Sequence, residues 1–479
     1  MRRSRLLALA ILALLSVFTL TAGLAVAAML PPRLALLHVP VAAARPVVNA
    51  TPVLTPVGAN DTRLQSTALP TEQGLAAIFS ARLSPATTGS GLGIEVADLQ
   101  TGQVLYSANA GTPATPASTT KVVTAVASLA ALGPNARFTT TVRQVGNTVV
   151  LVGGGDPTLA VNGYPSSDYP RPATLAQLAA STARALKAQR RQSVRLGYDT
   201  ALYSGPGMAQ GWSDALISSG NITPIVSLEA DQGRLTPSGA LEDSDDPVNF
   251  RPRTTNPAGM TVAAFAALLA HDGITVTGGP AAVVAPASAP LLATVSSPPL
   301  SAIIEQMLLE SNNVIAENLA RHVAIALGQP ATFTGAAGAV TSELRRLGVT
   351  TPIHLVDGSG LSTLDGIAPE TLVRVLRLAA GTPRLRVAIT GLPVAGFAGT
   401  LSAGASDFGG ISGAARGVVR AKTGNLATVA SLAGLAYDRS GGLLLFAIMA
   451  PRIPNANQLQ AAADAIDAAA SDLAECGCS

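Results

Sequence analysis

Pro116-Ala117-Ser118-Thr119-Thr120-Lys121-Val122-Val123 sets a serine and a lysine three positions apart where a helical pattern begins. Val122, Val123, Val126 and Leu129 recur at helical spacing, so Ser118 stands at the helix start and Lys121 one turn later on the same face. Serine is a favoured helix cap, and a lysine in a first turn is by itself unremarkable. The lysine is nevertheless rare. Lys121, Lys187 and Lys422 are the only three in the chain, and the other 28 of the 31 cationic side chains are arginine. Arginine does not give up its proton in a protein, whereas lysine does when burial lowers its pKa. A lysine retained against that background points to a serine nucleophile activated by an amine.

Working outward, Lys422-Thr423-Gly424 lies late in the chain. Gly417–Lys422, Ala427–Tyr437 and Leu443–Met449 read as three consecutive strands, with Lys422 ending the first. A glycine there admits the close approach of a ligand backbone, and a free strand edge can pair with an extended peptide. An edge lysine also discourages aggregation, so this stretch alone decides nothing. Ser311-Asn312-Asn313 interrupts a helical pattern that runs from Leu300 and resumes at Ile315. Such residues compete with helical backbone bonds and mark a bend or cap, and a hydroxyl and amide there could also meet a substrate.

Taken in order, Ser-x-x-Lys at a helix start, Ser-x-Asn in an interhelical break and Lys-Thr-Gly on a late strand resemble the serine penicillin-recognising enzymes. Lys121 and Ser311 are 190 residues apart (311 − 121). That gap resembles the D-Ala-D-Ala carboxypeptidase/endopeptidase family of class C low-molecular-mass penicillin-binding proteins, which carries extra domains between its first two motifs. Gly153-Gly154-Gly155-Asp156-Pro157-Thr158-Leu159, Ser297-Pro298-Pro299-Leu300, Asp357-Gly358-Ser359-Gly360-Leu361-Ser362 and Arg420-Ala421-Lys422-Thr423-Gly424 also resemble family segments, so the likeness runs from about residue 75 to 475.

The resemblance implies an α+β fold: a β-lactamase/transpeptidase-like domain, its antiparallel sheet flanked by helices with a helical lobe beside it, and β-rich domains inserted between the first two motifs. The expected catalytic domain is discontinuous, over 73–138 and 296–475, with an accessory insertion at 139–295. By the same resemblance Ser118 is the nucleophile, Lys121 takes its proton, and Ser311 and Lys422 relay a proton to the leaving amine. Asn313 holds the substrate amide, Thr423 and Gly424 help bind the substrate, and Lys422 with Thr423 meets its terminal carboxylate. The N–H groups of Ser118 and Asn425 form an oxyanion hole. The implied activity is cleavage of D-Ala-D-Ala and related links in peptidoglycan stem peptides through an acyl-serine, with β-lactams as covalent inhibitors. Position 425, an asparagine, departs from the family pattern, which usually has threonine or serine after Lys-Thr-Gly. The N–H survives there, and a side-chain hydroxyl does not. Two other readings stay open: a β-lactamase or esterase, and a scaffold that binds wall peptides without turnover.

The remaining features bound the function. Arg2, Arg3 and Arg5 precede a stretch from Leu6 to Leu30 without a charged residue, read as residues 1–30 forming either a cleaved signal with Ala25-Val26-Ala27 as its site or a membrane anchor. Both place the rest outside the cytoplasm, in the cell envelope or beyond it. Residues 31–72 read as a Pro/Ala-rich linker. A net charge of +3 and 3% aromatic residues, without a basic run, exclude a nucleic-acid partner. No His pair has metal-binding spacing, no H-E-x-x-H or P-loop occurs, and no cofactor or metal is expected. Cys476 and Cys478, the only cysteines, read as a local disulfide or a free surface pair. His322 reads as a packing or surface residue, and Trp212 as core of the insertion.

Overall fold

A computed structural model describes residues 69–163, 169–236, 239, 251–402 and 415–477. The expected leader and nearly all of the expected linker, together with Cys478, lie outside the described residues. Among the described residues no helix is long and apolar enough to cross a membrane.

In chain order, helix α1 (Glu72–Arg82) leads into strands β1 (Gly93–Asp98) and β2 (Val104–Ala108). A 3-10 turn over Ala117–Thr119 then opens α2 (Thr120–Leu132). Next come β3 (Thr139–Val145), β4 (Thr148–Val152), α3 (Leu175–Ala188), β5 (Ser193–Asp199), α4 (Pro257–His271), the two-residue β6 (Thr275–Val276) and β7 (Ala281–Ala282), and β8 (Leu291–Ser296). Helices α5 (Leu300–Glu310), α6 (Asn313–Ala326), α7 (Phe333–Arg346) and α8 (Pro369–Gly381) follow. The chain ends in β9 (Val419–Leu426), β10 (Val429–Tyr437), β11 (Leu443–Ala450) and α9 (Leu459–Glu475).

Five strands form one antiparallel sheet in the order β9-β10-β11-β1-β2, which joins both ends of the described chain. Alternation along these strands feeds two cores. Ala433, Leu435, Ala447 and Met449 face a cluster with Val122, Val126, Ile303, Ile315 and Leu376, the helical lobe. Ala421, Leu432, Phe446 and Ile448 face the opposite cluster, with Leu75 and Phe79 of α1 and Ile466 and Leu473 of α9. The antiparallel sheet between helices is the expected architecture.

Residues 139–296 build a second sheet, ordered β6-β5-β4-β3-β8 with β7 paired to β5. It is mixed, because β4 pairs in parallel with β5, and α3 and α4 cover it through Leu178, Leu186, Val262 and Phe265. The glycine run after β4 is a close-packing joint: a Cβ on Gly155 would stand 2.6 Å from His322 Nε2. His322 is buried and stacked on Phe138, as expected of a packing residue, and burial pushes its pKa down to about 4. Cys476 is buried and disulfide-bonded.

Candidate active site

Ser118 occupies the 3-10 turn just before α2, one residue earlier than the helix cap, Thr119. Ala117 enters that turn with φ +50°, a left-handed value that costs a non-glycine residue of order 1–3 kcal/mol. The conformation is held from two sides. A Cβ on Gly360 would lie 1.9 Å from the Ala117 carbonyl oxygen, and one on Gly424 would lie 2.7 Å from the Pro116 oxygen and 3.1 Å from the Ser118 nitrogen. Glycine at 360 and 424 therefore lets both the Asp357–Ser362 turn and strand β9 close on the backbone around Ser118. Ser431 Oγ adds a bond to the Pro116 carbonyl at 2.6 Å.

Lys121 is wholly buried on the first turn of α2. Its Nζ donates to Ser118 Oγ at 2.8 Å, to Asn313 Oδ1 at 2.6 Å and to the Ser359 carbonyl at 2.8 Å. Burial brings its pKa down from 10.5 to about 7, against the opposing pull of the Asp357 and Glu317 carboxylates. An amine poised there at neutral pH can accept the serine proton, since a general base works best with a pKa near the working pH. Lys187, by contrast, is exposed at the end of α3. The two lysines of the motifs are the two that the fold takes out of water.

The second motif forms the break between α5 and α6. Ser311 closes α5 with φ +56°, and Asn312 caps α6 through a 3.1 Å bond to the Ile315 N–H. Asn313 thereby starts α6 and spans the site, with Oδ1 on Lys121 and Nδ2 donating to the Asn221 carbonyl at 2.9 Å. Four residues on, Glu317 accepts from the Gly358 and Ser359 N–H groups and so fixes the turn whose carbonyl meets Lys121. Burial raises the Glu317 pKa, and those N–H groups act against the rise. Sequence reasoning missed Glu317, although the helical spacing from Asn313 puts both on one face.

Asp357 organises the same turn, accepting from the N–H groups of Ser359, Gly360 and Ser362. Trp212 Nε1 donates at 2.8 Å to Asp357 Oδ2, the oxygen that also accepts from Ser362. The expectation that Trp212 is core of the insertion is thus corrected: it is half-buried and ties the 200–234 region to the turn beside the lysine, because its indole N–H needs a partner when packed.

The third motif differs from expectation in its local structure. Lys422-Thr423-Gly424-Asn425 does not end the strand. It lies within β9, in register with Ala433, Leu432, Ser431 and Ala430 of β10. Lys422 is buried, and its Nζ donates to the Thr423 carbonyl. On the outer edge of β9, the Ala421 N–H is taken by Pro393 and the Val419 carbonyl by the Ala395 N–H. Alternation puts the main-chain groups of Thr423 and Asn425 on that same outer edge, beyond the covered part.

Some of the expected residues are brought into direct contact. Ser118, Lys121 and Asn313 are directly bonded, and Gly424 carries β9 past the Ser118 nitrogen. Ser311 is two residues from the bonded Asn313, and Lys422 two from Gly424. The structure adds Ser359, Ser431 and Thr400, whose Oγ1 lies 3.0 Å from Thr423 Oγ1. Among the described residues no group of His, Cys, Asp and Glu could hold a metal ion.

The family model of the D-Ala-D-Ala carboxypeptidase 3 (S13) family matches residues 75–238 and 229–473. Carboxypeptidase DacB of Mycolicibacterium smegmatis is 38% identical over 442 residues, covering 91% of this chain and 90% of the relative. A carboxypeptidase of Mycobacterium tuberculosis is 38% identical over 394 residues, 80% of each chain. The crystal structure of penicillin binding protein 4 from Haemophilus influenzae superposes with a TM-score of 0.67 at 23% identity, covering 82% of this chain and 98% of that one, a likeness of fold.

Proposed function

The chain belongs to the D-Ala-D-Ala carboxypeptidase 3 (S13) family, and from that premise we propose that it is a serine-type D-Ala-D-Ala carboxypeptidase acting on peptidoglycan stem peptides and acylated by β-lactams. One observation carries the reading: a buried lysine with its pKa near 7 stands 2.8 Å from the hydroxyl of a serine on a strained turn.

The roles we assign are those the family pattern implies, supported by the Lys121–Ser118 and Lys121–Asn313 bonds. The extended substrate pairs with the outer edge of β9 at Thr423 and Asn425. Lys121 Nζ, in its free-base form, takes the Ser118 proton as Oγ attacks the carbonyl carbon of the scissile peptide bond. The carbonyl π electrons move to oxygen, and the N–H groups of Ser118 and Asn425 stabilise that oxyanion, a contribution of about 3 kcal/mol for one donor in comparable sites. Collapse of the intermediate breaks the C–N bond. The leaving D-Ala nitrogen takes up the proton that Lys121 accepted, passed on through Ser311 and Lys422, which leaves an acyl-serine with Lys121 again as free base. Water then attacks the ester, its proton passing to Lys121, and Oγ regains a proton as the acid leaves. A β-lactam follows the first half of this path, its amide opening to an acyl-serine. Asn313 meets the substrate amide by exchanging its bond to the Asn221 carbonyl for one to the peptide.

The catalytic domain comprises 73–138 and 296–475, with an accessory insertion at 139–295, a division supported by the separate sheet of residues 139–296. The enzyme works in the cell envelope or outside the cell, exported by residues 1–30, which either are removed or stay as an anchor.

The test is labelling with a fluorescent penicillin followed by intact-mass analysis of the native chain and Ser118→Ala. The native chain gains one acyl group and the variant none. Labelling that persists in Ser118→Ala would remove Ser118 from its role.

A further inference from the structure

Asn425 raises a chemical problem. Strand alternation puts the side chains of 423 and 425 on one face of β9. Thr423, Asn425, Ser431 and Asp467 line one small void there against α9. A terminal carboxylate arriving at this end of the strand finds one hydroxyl, Thr423, where the family pattern offers two. That hydroxyl carries a single proton.

The neighbouring 3-10 turn over Gly399–Leu401 supplies another hydroxyl. Thr400 Oγ1 lies 3.0 Å from Thr423 Oγ1, and Thr400 is half-buried whereas Thr423 is only 7% exposed. The turn is fixed on both sides. Pro393–Ala395, just before it, is hydrogen-bonded along the outer edge of β9. Gly399 has φ +61°, and a Cβ on it would stand 2.6 Å from the Leu309 carbonyl oxygen of α5. Thr400 thus sits where the end of α5, which leads to Ser311, meets the strand that carries Lys422.

We propose that Thr400 is a positioning residue for carboxylate recognition, donating to Thr423 Oγ1 so that the one hydroxyl left to meet the anion keeps its proton aimed at it, which offsets the hydroxyl absent from position 425. Either oxygen of the pair can be the donor in the free enzyme. When a carboxylate binds, one arrangement serves it: Thr400 donates to Thr423, and the Thr423 proton points at the anion. A chain of two hydroxyls ending on a charge is stronger than either bond alone. Without Thr400 the Thr423 hydroxyl is free to rotate to other acceptors.

The inference rests on the carboxypeptidase reading, and one experiment separates the two. kcat/KM is measured on a stem peptide ending in D-Ala-D-Ala as free acid and on the same peptide as C-terminal carboxamide, for native protein, Thr400→Val, Thr400→Ser and Thr400→Val with Asn425→Thr. Thr400→Val lowers the acid-to-amide ratio of kcat/KM about tenfold, through KM on the acid. Thr400→Ser keeps the native ratio, and Asn425→Thr restores it in the valine background. The ratio is internal to each protein, so partial misfolding does not move it. An unchanged ratio in Thr400→Val, or one that Asn425→Thr does not restore, overturns the inference while leaving the reading in place. Absence of D-Ala release by the native protein overturns both.

Discussion

Asn313 Oδ1 stands 2.6 Å from Lys121 Nζ, so a neutral amide oxygen fills the place where a carboxylate would hold the lysine charged. With its pKa near 7 the amine is free base above that pH and protonated below it. Acylation by a penicillin should therefore rise about tenfold per pH unit up to 7 and level off above 8. Asn313→Asp puts a negative charge in contact with Nζ, which raises the lysine pKa by about 1–3 units. The inflection should move up by that amount, and acylation at pH 7 should fall about tenfold or more. Second-order acylation constants between pH 5 and 10 check both. An inflection in Asn313→Asp at the native position would show that Lys121 is not the group titrating.

The lysines were the most legible part of the site. In an arginine-rich chain their scarcity singled out Lys121 and Lys422, and both are buried. The late strands were legible from apolar runs. The end of β9 was not. Thr423, Gly424 and Asn425 carry turn propensity, but pairing with Ser431 and Ala430 overrides it, as tertiary context often does for β-structure. Helix α7 was missed although Phe333, Ala336, Ala337, Val340 and Leu344 recur at helical spacing, because Gly335 and Gly338 read as breakers. Trp212 and Asp357 are 145 positions apart, and Thr400 sits in a three-residue turn. Neither relationship leaves a local pattern, because each is made only when distant segments pack.

Gly424 is where strand β9 closes on the turn that carries Ser118. A Cβ there would lie 2.3 Å from Ser431 Oγ and 2.7 Å from the Pro116 carbonyl oxygen. The serine hydroxyl can rotate, but the carbonyl belongs to the backbone that carries Ser118. Gly424→Ala should destabilise the fold by about 1–3 kcal/mol through overpacking. It should also push β9 from the Ser118 turn, moving the Asn425 N–H away from the reacting carbonyl, with a loss in acylation of about a hundredfold. Denaturant titration alongside acylation separates the two effects. Acylation that falls only in proportion to the unfolded fraction would show that the close approach serves stability alone.

Trp212 reaches the site from the far side of the Asp357 turn. Its Nε1–H bonds a buried carboxylate, and bonds to charged groups contribute about 1.5–3 kcal/mol. Trp212→Phe keeps most of the ring packing against Phe333 and removes that bond. Asp357 then keeps three backbone N–H donors, from Ser359, Gly360 and Ser362. Glu317 still holds Gly358 and Ser359 from α6. The turn should therefore survive with the Ser359 carbonyl on Lys121. The expected outcome is a lower denaturant midpoint, worth about 1–3 kcal/mol, with acylation reduced less than fivefold. A large loss of acylation without a loss of stability would mean that the indole orients the Asp357 carboxylate, and through its turn Lys121, rather than fastening one region to another.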